Sequence, residues 1–454
     1  MERCILIKNL IKFLGITDLP STTQQFIIKT LFLQSLVMFG FQMGMTFIIL
    51  DYIDEFGFFI SGSLMAVAFL IQFVSDYPTG SLGDYIGQKY IIAISLFFFS
   101  LSYLIIAIFS NLILYIFSAM FFGIGMGQIS GSFESYIDNN YKLLVKGLDE
   151  DRKIYGFAFQ RYNSLIKFIS LLAFIIGGIF STVFFRKFVF FTVSIILFLL
   201  IPIILVFLTS FTKKNPLKIK SNKKGYFYFL NNGLRYFISS KQTFSLIFGI
   251  SMNILASNLW ALLLLFPIYF GYTGSDAGVS LLRTLIYVAG MFNQILLAKY
   301  SQNLNTSSFG KIASLYHFLW FTSFAVLLII VPLTNSLNVV GTVMCLLLMT
   351  LTINGIGVFN YSLLQRLLSL TIPSETRNSV YSLIPTVAIF FQIPFLMILG
   401  VIVENFGIIA GLFIPLGISL FGCGFLIYFH YLQNVAKVLQ QTQNQFKEPT
   451  IYGA

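Results

Sequence analysis

Ten stretches of this chain run for fifteen residues or more without an Asp, Glu, Lys or Arg: 30–50, 56–75, 90–133, 168–185, 188–212, 242–275, 284–298, 312–365, 378–403 and 405–436. A helix rises 1.5 Å per residue and a bilayer's hydrocarbon core is about 30 Å thick, so about 20 apolar residues cross it. Two stretches are long enough for a pair of helices. In 90–133 the break falls at Ser110-Asn111, and in 312–365 around Pro332-Leu333-Thr334-Asn335. The pattern therefore predicts an all-α membrane protein with twelve transmembrane helices. A membrane β-barrel would show alternating segments of about ten residues, whereas these runs are continuous. Residues 1–25 carry Arg3, Lys8 and Lys12 and no small-residue cleavage site, which argues against a signal peptide. Residues 4–14 read as a short amphipathic helix lying on the membrane.

Hydrophobic residues make up 57% of the chain and charged residues 10%. A soluble domain carries about 25% charge, so a soluble enzyme, a nucleic-acid-binding domain and a disordered chain are excluded. The net charge of +12 follows from where the cations lie. With the N-terminus inside, the inner segments hold most of the Lys and Arg, with the densest run at Lys213, Lys214, Lys218, Lys220, Lys223, Lys224, Arg235 and Lys241. The outer loops hold Arg186 and Lys187. This bias predicts cytoplasmic N- and C-termini in the cell membrane, and no nucleic-acid partner. Cys4, Cys345 and Cys423 are far apart and lack ligand spacing, so no metal and no cofactor are expected.

Six spans precede the basic segment and six follow it. The expected organisation is an interfacial N-terminus over 1–25, a six-helix bundle over 26–209, a basic cytoplasmic linker over 210–242, a second six-helix bundle over 243–430 and a tail over 431–454. Part of the linker, around 227–240, reads as an interfacial helix. Six plus six suggests an internal duplication. Glu150-Asp151-Arg152 before the fifth span and Glu375-Thr376-Arg377 before the eleventh are its one short echo.

The inner loop between spans two and three reads Asp76-Tyr77-Pro78-Thr79-Gly80-Ser81-Leu82-Gly83-Asp84-Tyr85-Ile86-Gly87-Gln88-Lys89. It resembles the signature loop of the major facilitator superfamily, G-x-L-A-D-R-x-G-R-K preceded by an acidic-x-P-[ST]. Gly80, Leu82, Asp84, Gly87 and Lys89 match; Gly83 replaces the usual Ala, and Tyr85 and Gln88 replace two usual Arg residues. Span four ends Ser130-Gly131-Ser132-Phe133-Glu134-Ser135-Tyr136-Ile137-Asp138, and the loop before span eleven reads Ile372-Pro373-Ser374-Glu375-Thr376-Arg377-Asn378-Ser379. Both are similar to segments of prokaryotic members. The resemblance implies two six-helix bundles that rock about a central site. It also implies that Asp84 sits against the N-terminus of span eleven, near Arg377, and holds the inner side shut. The physical basis is an acid meeting free helix N–H groups. The same Asp could instead cap its own loop.

Polar groups inside the spans are costly and mark a central cavity as a set, although singly each can just hold helices together. The candidates are Gln34 and Gln42 in span one, Gln128 in span four, Asn253, Asn258 and Trp260 in span seven, Asn354 and Asn360 in span ten, and Gln392 in span eleven. The resemblance selects spans one, four, seven and ten as cavity-lining. Arg283 lies inside span eight, because 284–298 is too short to cross alone. Asp276 is seven residues earlier on the same face, about 10 Å higher. Arg283 thus reads either as a snorkelling cation with Asp276 nearby or as an attractor of an anionic solute. Glu134, Asp138, Arg161 and Lys167 read as a charge network at the inner end of spans four and five, with Lys167 about 20 Å from Arg283 in depth. Gly123, Gly127 and Gly131 form a ridge on span four that admits a close helix neighbour.

These features point to a secondary transporter, monomeric, moving a small solute with or without a coupling ion. A membrane-embedded enzyme would need convergent nucleophile, base or metal ligands. The two histidines, His317 and His430, lie in different spans, so an enzyme is not expected. A non-transporting receptor or regulator on the same fold is the alternative. Uptake, efflux and exchange all fit, and fold does not choose the substrate.

Overall fold

The structure is a computed structural model of the whole chain, and it describes residues 2–130, 132–145, 147–149, 153–208, 238, 240–300, 306–334 and 377–445. Every element in them is helical. In chain order these are α1 (Glu2–Leu14), α2 (Ser21–Ile86), α3 (Gln88–Ile108), α4 (Leu112–Ile129), α5 (Ser132–Val145), α6 (Lys153–Val183) and α7 (Arg186–Phe207). After residue 240 come α8 (Lys241–Leu259), a π turn (Trp260–Leu264), α9 (Leu265–Thr273), α10 (Asp276–Tyr300), α11 (Thr306–Thr334) and α12 (Arg377–Gln445).

Among the described residues, seven helices are long and apolar enough to cross a membrane. Two of these apolar segments cover 56 and 52 residues. A straight helix of that length would run about 80 Å, well over twice a bilayer core. Both are bent: α2 at Gly57 (φ 79°) and α12 at Gly407 (φ 82°). A side chain is strained at such a φ, so glycine sets the place of each turn. Each bend leaves two arms of spanning length. The break expected at Ser110-Asn111 is present, since α3 ends at Ile108 and the Asn111 side chain caps α4 by accepting from the Ile113 N–H at 2.9 Å. A helix is present where one was expected over 4–14, as α1. The expected span ten, the interfacial helix around 227–240 and most of the linker lie outside the described residues. The tail expected from 431 begins as helix, because α12 continues to Gln445.

Small hydroxyls and glycines pack the N-terminal helices, as in other membrane bundles where apolar lipid gives helices no hydrophobic reason to associate. Ser100 of α3 donates to the Ser194 carbonyl of α7 at 2.9 Å, and Ser102 and Ser118 pair at 2.9 Å between α3 and α4. On α4, Gly123 faces the Ala68 carbonyl of α2 and Gly127 faces Ser75. This confirms the close neighbour expected of that ridge for two of its three members; Gly131 is outside the described residues. In the C-terminal set, Ser251 of α8 donates to the Ile384 carbonyl of α12 at 3.1 Å, and Ser314 of α11 to the Leu426 carbonyl at 3.2 Å.

The glycine loop joins the second arm of α2 to α3, so Gly57 and the Ile108–Leu112 turn lie at the opposite end of the bundle. That end is called the far rim below.

Candidate functional site between the N- and C-terminal helices

The two sets of helices meet along two lines. The second arm of α2 packs on α12: a Cβ at Gly62 would come within 2.5 Å of the Leu396 carbonyl oxygen, and one at Gly400 within 2.7 Å of the Phe58 oxygen. The helices α6 and α10 form the other line, where Gly178 sits against Ser280. Backbone meets backbone on the first line, and on the second a glycine backbone meets the small Ser280 side chain, which small residues alone permit.

Polar contacts close the far rim across these lines. Arg186, first residue of α7, grips Asp276, first residue of α10. Its Nε donates to both carboxylate oxygens at 3.0 and 2.8 Å, and Nη2 donates to Oδ1 at 2.8 Å. Ser181 donates to the same carboxylate, and Arg186 also pairs with Asp54. Arg186 and Asp276 have side chains only 13% and 11% exposed, so the pair is desolvated and bidentate, the strong form of an ion pair. On the other line, Glu404 of α12 accepts from the Phe59 backbone N–H at 2.6 Å. Phe59 lies in the first turn after the Gly57 bend, where helix N–H groups are free and the dipole is positive. Glu404 thus caps, from the C-terminal set, a helix of the N-terminal set. We expect Glu404→Gln, which keeps the shape and removes the charge, to weaken this closure by about 1 kcal/mol. The check is maleimide labelling of a cysteine introduced at buried Ser61. About fivefold faster labelling is the expected result, and an unchanged rate would remove Glu404 from the closure.

Below the rim, Arg283 of α10 is 7% exposed. Its Nη1 donates to Thr46 Oγ1 and its Nη2 to Gln42 Oε1 at 3.2 Å, both on the first arm of α2. The guanidinium carbon lies 4.1 Å from the Phe174 ring centroid, 4.9 Å from Phe266 and 5.9 Å from Tyr287. Residues of α2, α6, α9 and α10 therefore surround one buried cation. The expectation that Asp276 neighbours Arg283 is corrected here: Asp276 is turned to Arg186, and Arg283 points across to the N-terminal helices.

The chain matches the Major Facilitator Superfamily over residues 30–388. It belongs to that superfamily. The fold agrees with solved structures. A variant of the nucleoside transporter NupG has a TM-score of 0.67 at 11% identity, over 89% of this chain and 99% of that one. NupG itself gives 0.63 at 12% identity, over 89% and 98%. A D-xylose-proton symporter gives 0.65 at 13% identity, over 89% and 97%. No curated protein matches by sequence. The membership makes this superfamily protein a multi-pass membrane transporter.

Other predicted residues fall as follows. Gln42 and Arg283 are brought together. Asn258 donates to Gln392 Oε1 at 2.9 Å, joining α8 to α12. Gln34 accepts from the Tyr162 hydroxyl at 2.5 Å, and Asn253 donates to the Gly249 carbonyl at 3.0 Å within its own helix. Gln128 is buried with its Oε1 unpaired, and the Trp260 indole N–H, buried against Phe324, is unpaired among the described residues. Asn354 and Asn360 lie outside the described residues.

At the glycine-loop end, Gly87 has φ 102° and starts α3, and Lys89 lies over the Tyr90 ring at 4.9 Å. Asp76 ends the long apolar segment of α2 and is partly buried. The side chains of Pro78, Gly80, Gly83, Asp84, Glu134 and Arg377 are outside the described residues, although their helices are placed. Within the expected inner network, Asp138 pairs with Lys142 at 2.8 Å, one turn along α5. Arg161 donates to the Phe13 carbonyl and lies 4.1 Å from the Phe157 ring, tethering α1 to α6. Lys167 is half-buried and joins neither.

The residues that sequence reading passed over are Arg186, Glu404, Gly57, Gly400 and Asp51. Asp51 is buried near the end of the first arm of α2, where the Tyr115 hydroxyl donates to its Oδ2 at 2.7 Å. A signal was available for three of them. Arg186 is one of the two outer cations, and Asp51 and Glu404 are the acids that end the charge-free stretches 30–50 and 378–403.

Proposed function

We propose that the chain is a secondary transporter that moves a small solute by alternating access of two six-helix halves, with twelve spans, cytoplasmic termini and the basic segment 210–242 as the linker between them. The observation that carries this reading is the far-rim closure. Arg186–Asp276 and Glu404–Phe59 N–H each join one half to the other through polar contacts that rocking can break and water can replace. An ordinary core would not place such separable polar contacts at a rim between its halves.

The glycine loop supplies the opposite latch. In this reading Asp84, at the C-terminal end of the second arm of α2, meets the N-terminus of α12 near Arg377. Glu404, in the last turn before the Gly407 bend of α12, meets the N-terminus of that same α2 arm. The two helices would then carry an acid-to-helix-terminus contact at each end, and making one while breaking the other switches the side on which the centre is open. The structural neighbours, a nucleoside transporter and a D-xylose-proton symporter, support a small-molecule solute.

The test is solute exchange in sealed vesicles holding the purified protein, with Asp84→Asn as the comparison. We expect wild-type vesicles to exchange a solute and Asp84→Asn to lower the rate about tenfold or more, by removing about 1.4 kcal/mol or more from one of two nearly balanced states. Binding without exchange would favour the receptor reading.

A further inference from the structure

A buried cation is normally held by a carboxylate, because an isolated charge away from water costs several kcal/mol. Among the described residues, Arg283 breaks that rule. Each acid described near the far rim is committed elsewhere: Asp276 and Asp54 to Arg186, Glu55 to Lys187 at 3.0 Å, Asp51 to Tyr115 and Glu404 to the Phe59 N–H. The oxygens that accept from Arg283 belong to Thr46 and Gln42, both neutral. A guanidinium has five N–H donors in a planar fork. Two neutral acceptors leave three donors over, enough for the bidentate pairing a carboxylate makes.

The surroundings add two things. Phe174 and Phe266 lie 4.1 and 4.9 Å from the guanidinium carbon, so their π contacts help hold the charge, while its N–H edge is where acceptors bind. They also make the wall beside that edge apolar and aromatic. In addition, Arg283 belongs to the C-terminal helices and its oxygen partners Gln42 and Thr46 to the N-terminal ones, so the cation sits where the halves separate. A ligand arriving there meets an unneutralised charge.

We propose that Arg283 is the recognition point for the solute's charged group, and that the solute is a small organic carboxylate whose body packs on Phe174 and Phe266. The inference deepens the transporter reading and rests on it for the word solute; the binding site itself can be tested without transport. The carboxylate replaces the weaker neutral acceptors on the fork, which also loosens Arg283 from Gln42 and Thr46 and so couples binding to separation of the halves.

The experiment uses the full chain in detergent at constant sodium chloride. Thermal unfolding is followed with acetate, benzoate and succinate, each against its own amide, for wild type, Arg283→Gln and Arg283→Lys. We expect at least one carboxylate to raise the unfolding midpoint of wild type in a saturable way while its amide does not. Arg283→Gln should lose that shift and, with no ligand, unfold at or above the wild-type temperature, because an uncompensated charge has gone. Arg283→Lys should bind about tenfold or more weakly, since a point charge cannot pair bidentately. Three results overturn the proposal: no carboxylate exceeding its amide, an equal shift in Arg283→Gln, or an unliganded Arg283→Gln that unfolds well below wild type, which would make Arg283 a structural brace. If Arg283→Gln does not fold, equal carboxylate affinity in Arg283→Lys is the overturning result. Vesicles separate the two readings. Exchange of a solute that Arg283→Gln leaves untouched removes this site and keeps the transporter. Carboxylate binding through Arg283 without exchange keeps the site and removes the transporter.

Discussion

Asp276→Ala is expected to open the far rim, shifting the balance between closed and open forms by about a hundredfold. Arg186 places three N–H···O contacts on Asp276 and a separate nitrogen on Asp54. The Asp276 side chain is 11% exposed and that of Asp54 is 60% exposed. Removing the buried partner leaves Arg186 desolvated with only a solvated acid, and breaking such a pair costs about 3 kcal/mol. At 1.4 kcal/mol per factor of ten that is about a hundredfold. Removing the exposed partner costs under about 1 kcal/mol, because solvent screens it. The measurement is the rate at which a membrane-impermeant maleimide labels Thr46→Cys from the far side, in a protein without its three native cysteines. Asp276→Ala should label far faster than Asp54→Ala, and Asp276→Glu should lie between them. Equal rates for Asp276→Ala and Asp54→Ala would mean the ion pair does not close this rim.

Gly62→Val and Gly400→Val are expected to force the second arm of α2 away from α12. At Gly62 the obstacle is the Leu396 carbonyl oxygen at 2.5 Å from a new Cβ. At Gly400 it is the Phe58 carbonyl oxygen at 2.7 Å and the Phe59 Cα at 3.0 Å. Backbone cannot step aside as a side-chain tip can, so the helices must part. Overpacking of this kind costs about 1–3 kcal/mol per site, and here it falls on the closed form. Gly424→Val provides the control, since a Cβ there meets nothing within 4 Å, and its effect should stay within about 0.5 kcal/mol. Thermal unfolding reads the loss, and the Thr46→Cys labelling rate shows whether it falls on rim closure. If Gly62→Val behaves like Gly424→Val, the helices do not meet as closely as the structure places them.

The spans were legible because the bilayer imposes a rule on each segment alone. Twenty residues without charge are enough to predict a crossing, whatever their neighbours. The motif Asp76–Lys89 was recognisable for a similar reason, its glycines and Asp84 being adjacent in sequence, but it is not the loop expected: α2 runs through it to Ile86 and the chain breaks only at Gly87. The far rim was not. Its partners are separated by 90 residues for Arg186 and Asp276 and by 345 for Glu404 and Phe59, and nothing local says which acid a given cation will find. Asp276 shows the consequence. One helical face and seven residues joined it to Arg283 on paper, while the packing of α6 on α10 delivered it to Arg186.

The same division applies to the cavity candidates. Asn253 donates to Gly249 in its own helix and accepts from Ser419 of α12 within the same half, whereas Gln42 reached across to Arg283 in the other half. Both are amides in apolar stretches, and their sequence surroundings do not distinguish them. By itself, then, the sequence determined that this chain lives in a membrane, roughly where it crosses, and which superfamily its loop resembles. Those properties depend on local hydrophobicity and on contiguous residues. Only the tertiary structure decided which charges close the far rim and which one, among the described residues, is left without a carboxylate. Ion pairing inside a bundle is settled by which helices touch, and that is a property of the whole packed chain.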